Sequence, residues 1–238
     1  MDELSFHRRL HRPGTVLDIG AHDGAFTLPF SMLPGTRVIA FEPLPAAFDR
    51  LAAALDPLPP HVTLRQEALG DRDGVVTLSV PLLDGAAQEQ WASIAKDYAA
   101  VGSPRVHVAR HEVRLRRLDD LGLTDVTAIK LDAEGAEYEV LRGGRETLLR
   151  CRPVLSVEIE ERHREGATRA VPAWLDALGY DGFWEFYGAW NPIASFDRAR
   201  MHRASPDPSR FEASDPYIFV FYFLPREIAA DCLERLRA

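Results

Sequence analysis

Lysine is almost missing from this 238-residue chain: Lys96 and Lys130 are the only two, and every other basic side chain apart from histidine is arginine. With alanine abundant as well, codon bias in a GC-rich bacterium explains this without reference to function. Cysteine is as scarce. Cys151 and Cys232 stand far apart and match no metal-ligand spacing, so neither a disulfide framework nor a zinc site is indicated, and a reducing compartment suits them. Positive charge is outweighed overall; the formal net charge of −8 gives no general attraction to nucleic acid or to an anionic membrane. No run approaches the ~18 apolar residues of a membrane span, and the start, with Asp2 and Glu3, lacks the apolar stretch of a signal peptide. A cytoplasmic protein with no nucleic-acid or membrane partner is expected. Internal repeats and low-complexity tracts are also missing.

What is present is the composition of a protein able to bury a large core, with 46% hydrophobic and 27% charged residues. At roughly 150 residues per domain, the length fits one medium α/β unit with additions. Residues 1–13 read as a polar N-terminal arm ended by the Pro13-Gly14 turn, and residues 14–238 as a single domain. Apolar runs at Thr15–Ile19, Arg37–Phe41, Val62–Ala68, Ala128–Leu131 and Val154–Ile159 read as strands. Helical patterns occupy about Ala25–Leu33, Pro45–Leu55, Ala136–Leu149 and Arg169–Leu178. That alternation predicts right-handed βαβ units and a mostly parallel sheet covered on both faces.

The end of the chain breaks the rhythm. Tyr217–Leu224 is nearly all apolar and, with Tyr180–Tyr187, predicts a terminal hairpin that fills a slot in the sheet in the antiparallel sense. About 81–104 and 188–216 resist regular assignment, and loops this long in a compact domain suggest lids. Trp91, Ser93 and Tyr98 in the first, with Trp184, Tyr187 and Trp190 near the second, are candidate acceptor contacts, although aromatics in strands more often pack in a core. Arg110, Arg114 and Arg116 alternate with apolar residues, which means a solvated strand face or a landing site for a phosphorylated acceptor.

The strongest local signal is Val16-Leu17-Asp18-Ile19-Gly20-Ala21-His22-Asp23-Gly24, a buried strand running into a glycine-bearing turn and a helix. Gly20 and Gly24 permit a tight turn and close backbone approach to a ligand. The spacing is GxxxG and not the dinucleotide GxGxxG, which disfavours an NAD-dependent oxidoreductase. Asp18 suits an ammonium or a bound water better than a pyrophosphate. Glu42, followed by Pro43, ends the next strand 22 residues after Gly20, where a carboxylate accepts both ribose hydroxyls of a nucleotide. The loop carrying Ala68, Leu69 and Gly70 should approach the adenine.

In these stretches, and in EALGDRDG, RLDDL, IKLDAEGAEYEVLRGG and PVLSVEIEERH, the chain resembles the FkbM-type S-adenosylmethionine (SAM) dependent methyltransferases over roughly residues 14–224. The resemblance implies a Rossmann-like class I methyltransferase fold. It also implies SAM as methyl donor and O-methylation of a sugar or secondary metabolite. Asp18, Gly20, Ala21, Gly24 and Glu42 then correspond to cofactor contacts. At His22 the sequence departs from the asparagine more common in the family, which keeps a polar group there.

The chemical end is expected around Lys130-Leu131-Asp132-Ala133-Glu134, where a strand gives way to a helix on the same side as Asp18 and Glu42. Asp132 is expected to touch both cofactor and reacting atoms and Glu134 the acceptor, while Glu137 is explained by the preference of carboxylates for helix N-termini. Glu158 ends an apolar strand and needs a partner if buried, and His163 is the histidine near these acids. Asp132, Glu158 and His163 are the candidate bases for an alcohol nucleophile. Asp132, Glu134 and Glu158 would also suit a magnesium ion, but neutralising a sulfonium explains them equally and a divalent metal is not expected. The reading is a SAM-dependent O-methyltransferase acting on a small hydroxylated molecule. A non-catalytic SAM-binding partner protein is the other alternative, and the oligomeric state, a homodimer included, stays open.

Overall fold

The computed structural model describes residues 2–96, 106–202 and 217–238. In chain order the elements begin α1 (Glu3–Arg9), β1 (Gly14–Ile19), α2 (Thr27–Ser31), β2 (Thr36–Phe41), α3 (Pro45–Ala54), β3 (Val62–Arg65) and β4 (Ala68–Leu69). Then come β5 (Gly74–Leu83), β6 (Ala86–Ala87), β7 (Val106–Arg116), β8 (Val126–Leu131), α4 (Glu137–Gly143), α5 (Arg145–Cys151), β9 (Val154–Glu158) and α6 (Ala167–Ala177). The chain finishes with β10 (Tyr180–Phe186), β11 (Ala189–Pro192), α7 (Arg198–Met201), β12 (Val220–Pro225) and α8 (Ala229–Arg237).

The main sheet has eight strands in the order β11-β10-β12-β9-β8-β1-β2-β3. Strands β3, β2, β1, β8 and β9 are mutually parallel. Their apolar runs are continuous because helices cover both faces, leaving no solvated side to alternate toward. From β1 the chain moves one way to β2 and β3, and later returns to the other side through β8 and β9. This change of direction places a crevice beyond the carboxyl ends of β1, β2 and β8. As expected from the apolar C-terminal run, β12 inserts antiparallel between β9 and β10. The architecture is the Rossmann-like α/β arrangement expected from the sequence, with an antiparallel C-terminal strand.

Four expectations need correction. Residues 3–9 form a helix and not a polar arm: Asp2 caps it by accepting from the Ser5 amide, and Phe6 is fully buried. Phe6 packs against Trp190 and Tyr222, and Leu10 joins the same core cluster as Cys232 and Leu236 of α8. Burying one such phenylalanine is worth about 1.5–3 kcal/mol. Second, the run from Val62 to Ala68 is two strands in two sheets: β3 extends the main one, and β4 joins a four-stranded sheet β4-β7-β5-β6.

Third, the segment 81–104 is not a free loop. Its first residues finish β5, which pairs with β7 in register from Gly74↔Leu115 to Leu83↔Val106, and Ser93 bridges back to Ser79. Residues 97–105, including Tyr98, lie outside the described residues. In the second candidate lid, 189–192 is β11, paired with β10, while 203–216 lie outside the described residues. Fourth, the helix expected over Ala136–Leu149 is divided at Gly144 into α4 and α5, because a Cβ there would stand 2.8 Å from Leu118. Among the described residues no helix is long and apolar enough to cross a membrane.

Candidate active site

The turn after β1 is locked by backbone contacts. The amides of Gly20 and Ala21 both donate to the Phe41 carbonyl at 3.0 Å, and the Asp132 amide donates to the Ile19 carbonyl at 3.0 Å, which ties three strand ends together. Gly20 adopts φ +78°, and a Cβ on it would lie 1.8 Å from the carbonyl oxygen of Asp132. Glu42 clasps the same turn, one carboxylate oxygen accepting from the His22 amide and the other from the Leu44 amide, each at 2.8 Å. Burial pushes the Glu42 carboxyl up, and these two amides pull it back. A carboxylate offers about four acceptor positions, so two are left to face the crevice.

That crevice is a cavity of about 290 Å³. Gly20, Ala21, His22, Glu42 and Pro43 line it on one side, and Lys130, Asp132, Ala133 and Glu134 on another. Phe41, Ala68, Leu69, Leu78, Ala92 and Ile94 complete it as an apolar wall. Two lining residues carry buried polar atoms without partners, His22 Nε2 and Asp132 Oδ1.

Residues 18–181 match the family described as the methyltransferase FkbM domain. The chain belongs to this family. It is 31% identical to the 2-O-methyltransferase NoeI of Sinorhizobium fredii over 194 residues, covering 74% of this chain and 77% of NoeI. It is 28% identical to the methyltransferase sdnD of Sordaria araneosa over 191 residues, covering 70% and 73% respectively. A solved FkbM methyltransferase from Methylobacillus flagellatus superposes with a TM-score of 0.54 at 15% identity, over 93% of this chain and half of that one, and so shares the fold.

As an FkbM-family methyltransferase, the protein uses SAM, and the cavity fits it. An apolar slot for a flat base, a carboxylate with free acceptor positions, and an unpartnered carboxylate oxygen at Asp132 are what adenine, ribose and a cationic sulfonium require. Two residues expected to touch the cofactor do not line the cavity. Asp18 is fully buried behind it, where it accepts from Thr27 Oγ1 at 2.6 Å and faces the Lys130 ammonium at 3.8 Å. Gly24 lies one turn on, against Leu51, and shapes the turn.

The FkbM stretch IKLDAEGAE contains a residue the sequence reading passed over. Lys130 is buried in β8, its ammonium donating to the Gly20 carbonyl at 2.9 Å and standing 3.7 Å from Asp132. Burial alone would lower its pKa, but Asp132, Asp18 and Glu3 raise it, so it stays charged. The signal was available: a lysine between Ile129 and Leu131 in an apolar strand demands buried acids. The other lysine of the chain, Lys96, also meets this region, donating to Glu134 at 2.6 Å.

The loop from Asp132 to Glu137 is held from beneath and above. Glu137, buried, accepts from the amides of Ala133 and Gly135, which explains it more fully than a helix-terminus preference. Ser93 donates to the Glu134 carbonyl at 2.6 Å and accepts from the Ala95 and Lys96 amides. Its hydroxyl therefore fastens the 81–96 segment over the cavity and is buried away from a ligand. Glu134 adopts φ +51°; burial pushes its carboxyl up to about 7, with Lys96 pulling the other way.

Glu158 and His163 lie beside Glu134 without lining the first cavity; one ligand atom from each of the three falls within 4.8 Å of the others. His163 lines a second cavity of about 340 Å³, which shares Ile94 and Ala136 with the first. Burial, then the Asp132 charge, pushes Glu158 far up, so it keeps its proton at neutral pH. Burial would also raise its neighbour Glu160, but Arg162 and Tyr217 hold that carboxyl down. Burial lowers His163 to about 3, leaving the imidazole neutral.

The aromatic candidates fall elsewhere. Trp190 and Trp184 are core residues, the first packed on Phe6 and Tyr222, the second donating to the Pro192 carbonyl and Ser195. Tyr187 is exposed at the β10–β11 turn, and Trp91 does not line the cavity. Arg114 and Arg116 stand 3.8 and 4.0 Å from Glu67, and Arg110 is solvated.

Proposed function

We propose that this FkbM-family methyltransferase transfers the methyl group of SAM to a hydroxyl oxygen of a small molecule. Asp132 carries the reading: it lines the cofactor cavity, and its Oδ1 is buried with no hydrogen-bond partner among the described residues. Such an atom is costly to leave unpaired, by about 1–3 kcal/mol, unless a ligand meets it. Bound in this cavity, SAM supplies an electrophilic methyl carbon on a cationic sulfur; transfer forms a C–O bond, breaks the C–S bond and releases a neutral thioether.

This chain's residues supply the rest. Glu42 accepts from the ribose hydroxyls with the oxygen positions that the His22 and Leu44 amides leave free. Phe41, Leu69, Leu78 and Ile94 enclose the adenine. Asp132 receives the proton that the acceptor hydroxyl loses, a role closed to Glu158 because it already holds one. Lys130 fixes Asp132 and the Gly20 turn relative to each other, so cofactor and acceptor are aligned by one buried charge. The 92–96 segment, fastened by Ser93, keeps water out. The likeness to a relative named as a 2-O-methyltransferase supports oxygen as the acceptor atom and a small molecule as its carrier.

Calorimetric titration with S-adenosylhomocysteine (SAH) and with NAD, followed by a labelled-methyl assay against hydroxylated small molecules, tests this. SAH binding without NAD binding, and turnover that Asp132→Asn removes while SAH binding persists, are the expected results. Tighter NAD binding would overturn the reading in favour of an oxidoreductase. SAH binding with no transfer to any acceptor would favour a binding partner over an enzyme.

A further inference from the structure

Around Glu158 the charges do not balance. Asp132 is paired with Lys130, Glu134 with Lys96, and Glu160 with Arg162, whose two nitrogens donate to it at 2.5 and 2.6 Å. Glu158 alone of the four acids has no cationic partner among the described residues. An acid cluster of this kind does not by itself specify a ligand.

His163 supplies the independent observation. Its side chain is 2% exposed, and its Nε2 has no hydrogen-bond partner. That nitrogen points into the cluster, 3.4 Å from Glu134 Oε2 and 3.2 Å from Glu160 Oε1. A buried neutral imidazole nitrogen facing carboxylates is the donor arrangement that a transition-metal ion takes.

We propose that Glu134, Glu158 and His163 form a site for a first-row divalent cation at the partition between the two cavities. The donor atoms lie within 4.8 Å of one another, so the two flexible glutamates can close on an ion without backbone movement. A nitrogen with two carboxylate oxygens favours manganese or a later metal over magnesium or calcium, which take oxygen alone. Lys96 occupies one oxygen of Glu134 and leaves the other for the ion. Three protein ligands leave coordination positions free. Glu134 borders the cofactor cavity and His163 the second one, so an ion here faces both.

The use of the ion rests on the methyl-transfer reading. A hydroxylated acceptor in the second cavity would place its oxygen on the metal, which orients the oxygen toward the cofactor and eases loss of its proton. The presence of the site does not depend on that reading.

The test is titration of Mn²⁺ into the tag-free full chain at neutral pH, followed by electron paramagnetic resonance, with SAH titrated into the same preparation. One Mn²⁺ per chain is expected, with ¹⁴N couplings from imidazole in the pulsed spectrum. Glu158→Gln and His163→Gln should each weaken Mn²⁺ binding at least tenfold, and His163→Gln should remove the ¹⁴N couplings. Near-UV circular dichroism identifies the variants that keep the fold, and the wild-type ¹⁴N signal decides if neither does. No binding at millimolar Mn²⁺, a bound ion without ¹⁴N coupling, or unchanged affinity in a folded variant would overturn the site. SAH binding without Mn²⁺ binding overturns the metal site alone; Mn²⁺ binding without SAH binding overturns the methyltransferase reading alone.

Discussion

Gly20 and Asp132 meet backbone to backbone: the position a Cβ would take on Gly20 lies 1.8 Å from the Asp132 carbonyl oxygen. The cofactor turn and the chemical loop are therefore one unit. Gly20→Ala must either push β8 away from β1 or abandon φ +78°, and neither is a side-chain adjustment. We expect a loss of more than about 3 kcal/mol in urea unfolding, together with loss of measurable SAH binding.

Glu42→Gln keeps the size of the side chain but turns an NH₂ toward one of two backbone amides that both need an acceptor. Hydrogen bonds to a charged group are worth about 1.5–3 kcal/mol, so SAH affinity should fall about 10- to 100-fold by calorimetry. An unchanged affinity would show that Glu42 does no more than hold the turn.

Lys130→Met leaves Asp18 buried with Thr27 as its hydrogen-bond partner and removes the cation between Asp18 and Asp132. Breaking a buried pair in this way costs about 3–5 kcal/mol. Adding Asp18→Asn removes the stranded charge, so the double variant should be more stable than Lys130→Met alone. The urea midpoints of the four proteins in this cycle measure the coupling.

His7 gives a pH dependence of definite sign. Burial, then the Lys130 charge, lowers its pKa from 6.5 to about 3, and its Nε2 lies 2.7 Å from Ser156 Oγ, which donates to Glu3. The unfolded chain binds a proton below pH 6.5 that the folded chain refuses. Stability from this group is whole above 6.5 and declines as pH falls toward 3. Buried carboxyls such as Glu137, raised to about 7, act in the opposite direction, so wild type must be compared with His7→Gln. Between pH 7 and pH 5 wild type should lose about 2 kcal/mol more than the variant.

The cofactor half of the site was legible because it is written in local order. Gly20, Glu42 and Leu69 follow strand ends at the spacing the fold imposes, and the structure brings all three to one cavity. The polarity of the first residues hid α1, although Phe6 and Leu10 are one helical turn apart and Asp2 is a capping residue. Ser93 and Trp190 could not be placed, since a serine on a loop and a tryptophan in a strand mean different things according to which distant element covers them. Lys130 and Lys96 were readable in a different way. The scarcity of lysine looked like codon bias, yet both lysines face the acids of the site.

The position of β12 has one more consequence. It is the last strand in the sequence and lies between β9 and β10, so the middle of the main sheet is finished by residues 220–225. During synthesis, which runs at about 5–20 residues per second, β9 must wait through more than sixty residues with one edge unpaired. The span 18–181 that marks the family stops short of that strand. A fragment cut to those limits would keep the cofactor turn and still expose an aggregation-prone edge at the centre of its sheet.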